Sequence, residues 1–194
     1  GASQIARNAL NVLKFFVQTN KTKTCNDFKT EFRKVGRQLF EARSNMAPVQ
    51  NLVAQAVYEA LAQDECNLVS ICRFALSIVD KLYKQSQLAV KESAQNAATI
   101  IKTGGVVATC SFSSTVCETF KTAKKQGKHF KVFVAESKVG KTSYGKAAEQ
   151  FLKSIKIPAS VFADDKISRH LPNSDCILVG ADTLLDDGSI INGI

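Results

Sequence analysis

The spacing of apolar residues changes at Gly104-Gly105, and this change limits the possible folds more than any other feature. Before this pair, apolar residues recur every three or four positions, as in Phe28, Phe32, Val35 and Leu39. After it, short apolar runs rich in β-branched residues alternate with helical stretches. Because the first pattern is typical of helices and the second of buried strands, we predict two domains. The helical domain covers residues 1–103, and the second domain covers residues 104–194.

The first domain is predicted to contain amphipathic helices. Apolar spacing predicts helices over residues 5–17 and 49–61, and another around Phe28 with a cap at Asn26 or Asp27. Residues 67–102 contain neither Pro nor Gly and carry apolar side chains at intervals of seven. We therefore expect one long helix to end this domain.

The second domain is predicted to be α/β. The apolar runs predict strands at 106–109, 131–135, 159–162 and 176–179, separated by helices at 115–126, 145–155 and 166–171. This alternation predicts right-handed βαβ crossovers and a Rossmann-like, doubly wound parallel sheet. Ligands of such sheets bind beyond the carboxyl ends of the strands.

Composition narrows the class of protein. A hydrophobic content of 45% with 22% charged residues argues against a disordered chain. No apolar run approaches the roughly 20 residues of a membrane span, and residues 1–7 do not resemble a signal peptide. We expect a cytoplasmic protein with no membrane partner. The cysteines form no Cys-x-x-Cys pair, so we expect free thiols and no metal site at Cys25, Cys66, Cys72, Cys110, Cys117 and Cys176.

The net charge of +9 is concentrated in the middle of the chain. Residues 102–156 contain 11 basic and 3 acidic residues. Lysines 121, 124, 125, 128 and 131 lack an interleaved aromatic platform, so a solvated face is favoured over direct nucleic-acid binding. An anionic ligand or partner fits the basic surface better.

Polar segments follow each predicted strand. Residues 109–115 are rich in hydroxyls and lead into a helix, which indicates an anion site or, alternatively, helix caps only. Glu136-Ser137-Lys138 could hold a polyol and a phosphate, or form a solvated loop. Asp164-Asp165 is predicted to cap the following short helix, with a place in the ligand site as the less favoured alternative. Gly180 and Ala181 permit a tight turn that leaves Asp182 facing the crevice as a candidate general acid or base.

Two segments near the end of the sequence resemble the signature of a known family. Residues 177–182 and 187–192 resemble the group that unites the α, β and δ subunits of eukaryotic initiation factor 2B with methylthioribose-1-phosphate isomerase and ribose-1,5-bisphosphate isomerase. Residues 109–116 are similar to its strand-to-helix turn, and residues 134–138 to its Glu-Ser/Thr-Arg-Pro loop. Residues 1–3 and 41–45 resemble its Arg-Gly-Ala and Arg-Pro elements.

The resemblance implies a helical domain on a Rossmann-like domain, and a homo- or hetero-dimer formed through the latter, with a translation-initiation complex as one setting. Family isomerases interconvert aldose and ketose forms of a phosphorylated ribose with a cysteine and the aspartate of Gly-Ala-Asp. The matching positions here are Ser111 and Asp182. Together with the strand-end argument, the resemblance implies no cofactor and a ligand-binding set of Arg43, Thr109, Ser113, Ser114, Glu136, Lys138 and Asn192.

The sequence departs from the isomerase pattern at several of these positions. Thr109-Cys110-Ser111 stands where the enzymes have Thr-His-Cys, and a hydroxyl cannot supply a thiolate. Cys110 is expected to point to the opposite face, because side chains alternate along a strand. Asn192-Gly193 replaces Asn-Lys, Ser44 replaces the proline of Arg-Pro, and no arginine precedes Gly1.

These departures favour a non-catalytic or regulatory relative that binds a sugar phosphate or a nucleotide. An active aldose–ketose isomerase is the alternative, and a nucleic-acid binder is the least favoured reading. The family's next motif and further strands do not follow Ile194, so we expect the sheet domain to be incomplete.

Overall fold

A computed structural model describes residues 1–63 and 67–192 as two compact units. Residues 2–63, 67–88 and 182–191 form a helical unit, whereas Gly1, residues 89–181 and Asn192 form a sheet unit. No helix within these residues is both long and apolar enough to cross a membrane. The predicted domain boundary at residues 103 and 104 stays a prediction.

The helical unit is built on four helices and a short hairpin. The helices are α1 (Ala2–Thr19), α2 (Cys25–Glu41), α3 (Ala47–Leu61) and α4 (Leu68–Ile100), which continues into the sheet unit. Their apolar faces bury Leu10, Leu13, Phe28, Phe32 and Ile71. The spacing of apolar residues predicted these helices because those residues form the buried face of each one.

The predicted cap of α2 is wrong. Thr24, in the extended conformation that a cap requires, accepts the backbone N–H of Asp27 on its hydroxyl at 3.1 Å. The same hydroxyl donates to the carboxylate of Asp27 at 2.8 Å. Asn26 and Asp27 already lie inside the helix, so neither can serve as its cap.

The sheet unit contains a four-stranded parallel sheet, which confirms the α/β prediction. Its strands are β1 (Val106–Cys110), β2 (Lys131–Ala135), β5 (Ala159–Phe162) and β6 (Cys176–Ile177), and an antiparallel hairpin of β3 (Lys138–Val139) and β4 (Thr142–Ser143) follows β2. The strand order is β5-β2-β1-β6. The order reverses at β1, the position where doubly wound sheets open a crevice.

Strand β6 is shorter than predicted. The N–H of Leu178 still donates to the carbonyl of Ala108 at 2.9 Å, but the chain then leaves the strand. Gly180 comes so close to Ser113 that an added Cβ would lie 2.5 Å from the Ser113 hydroxyl. The chain thus leaves the sheet where the apolar run predicted that the strand continues to residue 179.

Helices cover both faces of the sheet. Helices α5 (Ser114–Lys125) and α6 (Tyr144–Ser154) and the end of α4 pack on one face around Phe120, Val132 and Leu152. On the other face, His170 at the end of α7 (Ile167–His170) stacks on Phe162 with a centroid distance of 4.1 Å.

The short hairpin of the helical unit pairs β7 (Thr183–Leu184) with β8 (Ile190–Ile191).

The prediction of free thiols is confirmed for Cys25, Cys72, Cys110, Cys117 and Cys176, and Cys66 lies outside the described residues.

Candidate functional site

A cleft of about 310 Å³ opens at the carboxyl ends of β1 and β2. Three residues of the predicted site, Ser111, Lys138 and Asn192, lie together in its wall. The full lining is Cys110, Ser111, Ser137, Lys138, Val139, Tyr144, Asp164 and Asn192. The cleft lies at the strand ends where the sequence predicted a ligand site, and its use by a ligand stays a prediction.

Two serines in left-handed backbone conformations shape the floor of the cleft. Ser111 has φ +56° and Ser137 has φ +48°, values that serine rarely adopts. The backbone N–H of Ser111 donates to the hydroxyl of Ser137 at 2.9 Å. This bond joins the turn after β1 to the loop after β2, so it fixes the two strand ends relative to each other.

Asp164 orders the loop after β2. Its carboxylate accepts the backbone N–H groups of Ser137 at 2.8 Å and Lys138 at 3.4 Å. The prediction that Asp164-Asp165 caps the following helix is wrong, because the N-cap of α7 is Lys166 and no side chain caps that helix. Asp164 instead binds a loop 27 residues earlier in the chain, a tertiary contact that local patterns do not encode.

Gly145 allows α6 to begin directly against the same loop. Its N–H donates to the carbonyl of Glu136 at 2.8 Å, and an added Cβ would lie 2.5 Å from the carbonyl oxygen of Ala135. The hydroxyl of Ser143 accepts the N–H of Lys146 and so caps the helix. This close start brings Tyr144 into the cleft.

Cys110 is among the residues that line the cleft, next to Ser111. The prediction that the two side chains point to opposite faces stays a prediction. The strand alternation ends here because Ser111 leaves the extended conformation. Burial, and secondly the charge of Asp164, raise the pKa of the Cys110 thiol. Cys110 is therefore a neutral thiol near pH 7 and a poor nucleophile.

Four other predicted ligand residues of the sheet unit have structural contacts outside the cleft lining. Thr109 is buried on β1, and Ser113 caps α5 by accepting the N–H of Val116 at 3.4 Å. Ser114 begins α5, and its hydroxyl would lie 2.7 Å from a Cβ placed on Gly1. Glu136 lies 3.9 Å from the ammonium of Lys146. Their roles in ligand binding stay predictions.

Arg43 and Asp182 belong to the helical unit. Arg43 is exposed in the turn after α2, and the backbone N–H of Asp182 donates to the carbonyl of Ile191 at 2.7 Å. Next to it, the hydroxyl of Thr183 donates to the carbonyl of Asn45 at 3.3 Å and accepts the N–H of Ala47 at the same distance. Thr183, directly after the Gly-Ala-Asp segment, thus contacts the segment that resembles the Arg-Pro element.

Sequence reasoning missed Tyr144 and the role of Asp164. The one signal for Tyr144 was its place between Ser143, a good cap, and Gly145.

Within residues 1–63 and 67–192 there is no group of three or more side chains suited to hold a metal ion.

Comparison with known proteins finds a family model that matches the whole chain. The model of the initiation factor 2 subunit family matches residues 1–194. Over 100% of its length the chain is 26% identical to "Ribose 1,5-bisphosphate isomerase" of Pyrococcus furiosus, of which it covers 60%. It is also 30% identical to "Putative translation initiation factor eIF-2B subunit 2-like" of the same organism. That match covers 80% of this chain and 52% of the relative.

Among solved structures, the translation initiation factor eIF-2B of Pyrococcus horikoshii OT3 shares the fold with a TM-score of 0.79. The identity is 23%, and the match covers 98% of this chain and 64% of that one. The chain therefore spans about three fifths of the length of the Pyrococcus furiosus isomerase and of the solved Pyrococcus horikoshii protein.

Proposed function

The chain belongs to the initiation factor 2 subunit family, and we propose that its sheet unit binds a phosphorylated ribose or a nucleotide without isomerising it. Lys138 supplies an ammonium for a phosphate group, and Ser111 and Asn192 supply hydrogen-bonding groups for the sugar hydroxyls. A cleft of about 310 Å³ is at the small end of the range of about 300–1,000 Å³ that small-molecule sites occupy.

One observation carries the non-catalytic half of the proposal. The position that matches the catalytic cysteine of the family's isomerases is Ser111, and the cysteine that does line the cleft is a thiol whose pKa burial raises. Neither group supplies a thiolate near pH 7. The cleft therefore has groups that bind a sugar phosphate, and it lacks the ionised sulfur.

Thermal unfolding with ribose-1,5-bisphosphate tests the binding half. At a ligand concentration one hundred times Kd, binding adds about 2.7 kcal/mol to the free energy of unfolding. For a chain of this size, that raises Tm by several degrees. Lys138→Gln should remove most of the shift, whereas Lys141→Gln should keep it, because Lys141 lies in the same hairpin outside the cleft lining. An unchanged Tm, or an equal loss in both variants, contradicts the proposal.

The second candidate function is aldose–ketose isomerisation. It is favoured by the presence of Cys110 in the cleft and by relatives named ribose 1,5-bisphosphate isomerase that match the whole chain. A neutral thiol can still act as a general acid, and the resemblance to the family's isomerases implies a catalytic role for Asp182. Turnover of ribose-1,5-bisphosphate or methylthioribose-1-phosphate that is lost in both Cys110→Ala and Asp182→Asn would establish this function and reject the first.

We also propose that the protein acts in the cytoplasm as a homo- or hetero-dimer formed through the sheet unit, within a translation-initiation complex. Ile177 in the edge strand β6 and Val179 shortly after it are exposed apolar residues, and they support an interface there. Sedimentation equilibrium measures the mass directly. Replacing both residues with Ser should then convert a dimer into a monomer.

A further inference from the structure

A second cavity, of about 340 Å³, lies at the amino ends of β1, β2 and β5, at the edge of the sheet opposite the cleft. No acidic residue lines it. The lining consists of Lys124, Lys128, Lys131, Lys156, His129, Gly104 and the apolar group Phe130, Ile157 and Pro158. The cavity thus combines a basic rim with an apolar base.

Two of the four lysines have a structural explanation. The ammonium of Lys128 donates to the carbonyls of Ala98 and Ile101 at 2.7 Å each, at the C-terminal end of α4. The ammonium of Lys124 donates to the carbonyl of Lys156, just after α6, at 2.6 Å. Lys128 satisfies carbonyl groups that the end of α4 leaves without partners, whereas Lys124 binds the residue that follows the C-cap of α6. Each helix C-terminus carries roughly half a negative charge, which is less than the full positive charge of the lysine that binds there. The rim of the cavity therefore keeps a net positive charge.

Lys131 and Lys156 have no such explanation. Among the residues that the structure describes, neither ammonium forms an ion pair or a hydrogen bond. The acidic residue Asp175 caps the start of β1, where it accepts the N–H of Val106 at 2.8 Å, and it is outside the lining. Two lysine charges and the imidazole of His129 are therefore available to a ligand.

The backbone at Lys156 is a second, independent sign. Helices α5 and α6 end in the same way, with a left-handed residue whose N–H returns to the last turn. At α5 this residue is Gly127, with φ +80°, as is usual. At α6 it is Lys156, with φ +57°, although a side chain there is unfavourable. A lysine is thus held beside the cavity where glycine would suit the fold better.

We infer that this cavity is a binding site for a small ligand with two or more linked phosphate groups, such as inorganic triphosphate or a nucleoside triphosphate. Several ammonium groups around one cavity suit a ligand with several charges better than a single phosphate. The volume is sufficient for more than one phosphate group. Phe130, Ile157 and Pro158 offer contact to a nucleoside base or ribose. The site is separate from the cleft of the proposed function and does not depend on it.

Titration calorimetry at low ionic strength with inorganic triphosphate and with ATP tests this inference. Lys131→Gln and Lys156→Gly should each weaken binding about tenfold or more, the usual scale for a lost charged hydrogen bond. Lys125→Gln is the matched control, because Lys125 is exposed in the last turn of α5 and outside the cavity lining. It should change the affinity less than twofold. Tighter binding of ATP than of triphosphate assigns a nucleotide, and equal binding assigns a polyphosphate.

Lys156→Gly separates binding from folding. Glycine is favoured at this backbone conformation, so the variant should unfold at the wild-type temperature or above it while it binds less. The inference is overturned if neither probe binds at millimolar concentration, or if Lys125→Gln weakens binding as much as the two cavity variants. It is equally overturned if binding depends on Lys138 of the cleft instead, or if single-stranded RNA binds tenfold more tightly than triphosphate.

Discussion

The carboxylate of Asp164 accepts a hydrogen bond from the backbone N–H of Ser137 at 2.8 Å and so connects the end of β5 to the loop after β2. The same loop holds Lys138, and the hydroxyl of Ser137 accepts the N–H of Ser111. Asp164 therefore positions the cleft through the backbone of its neighbours.

Replacing Asp164 with Ala should affect ligand binding more than stability. Because Asp164 is exposed, the loss of its two hydrogen bonds should cost about 1 kcal/mol in the free energy of unfolding. The Tm shift by ribose-1,5-bisphosphate should largely disappear, since Lys138 loses its fixed position. Asp165→Ala is the control, because its carboxylate is 71% exposed and makes only a distant contact with Lys166. An Asp164 variant that binds like wild type would remove Asp164 from the site.

Gly145→Ala should destabilise the sheet unit by about 2–3 kcal/mol, because the new methyl group meets backbone that cannot move freely. Gly36→Ala in α2 is a useful comparison. There the methyl group meets one methyl of Val57, a side chain that must shift, and its nearest contacts include no backbone atom, while the helix gains stability when glycine is replaced. Urea unfolding should show the larger loss for Gly145→Ala. A reversed order would contradict the close contact between α6 and Ala135.

Stability should fall at alkaline pH in part through Cys117. Burial raises the pKa of this thiol from its ordinary 9.0 to about 11. The folded state therefore keeps its proton when the unfolded state loses it, and this contribution is complete below about pH 9 and lost as pH approaches 11. The difference in free energy of unfolding between wild type and Cys117→Ala, measured from pH 8 to 11, should shrink as pH rises. A constant difference would contradict the raised pKa.

The predicted strands β1, β2 and β5 are accurate to within a residue because buried parallel strands appear in sequence as short apolar runs between helices. The cap of α2 was misplaced because Thr24, Asn26 and Asp27 are all good caps, and only the backbone conformation selects among them.

Within the candidate site, Lys138 could be predicted because strand ends of a parallel sheet share one edge. Asn192 follows β8, and its prediction came from the resemblance to the family's Asn-Lys motif. The contribution of Asp164 could not, since it depends on a hydrogen bond across the sheet edge. The left-handed backbone of Ser111 could not be predicted either, because nothing in a serine indicates that conformation in advance.

The central claim is that the cleft binds a phosphorylated ribose and leaves it unchanged, and carbon NMR of ¹³C-labelled ribose-1,5-bisphosphate with the protein tests both parts. We expect the ligand signals to broaden in proportion to protein concentration and to sharpen in the Lys138→Gln variant, with no ketose carbonyl signal after prolonged incubation. A growing ketose carbonyl signal that requires the protein, or ligand signals that the protein leaves sharp, would contradict the claim.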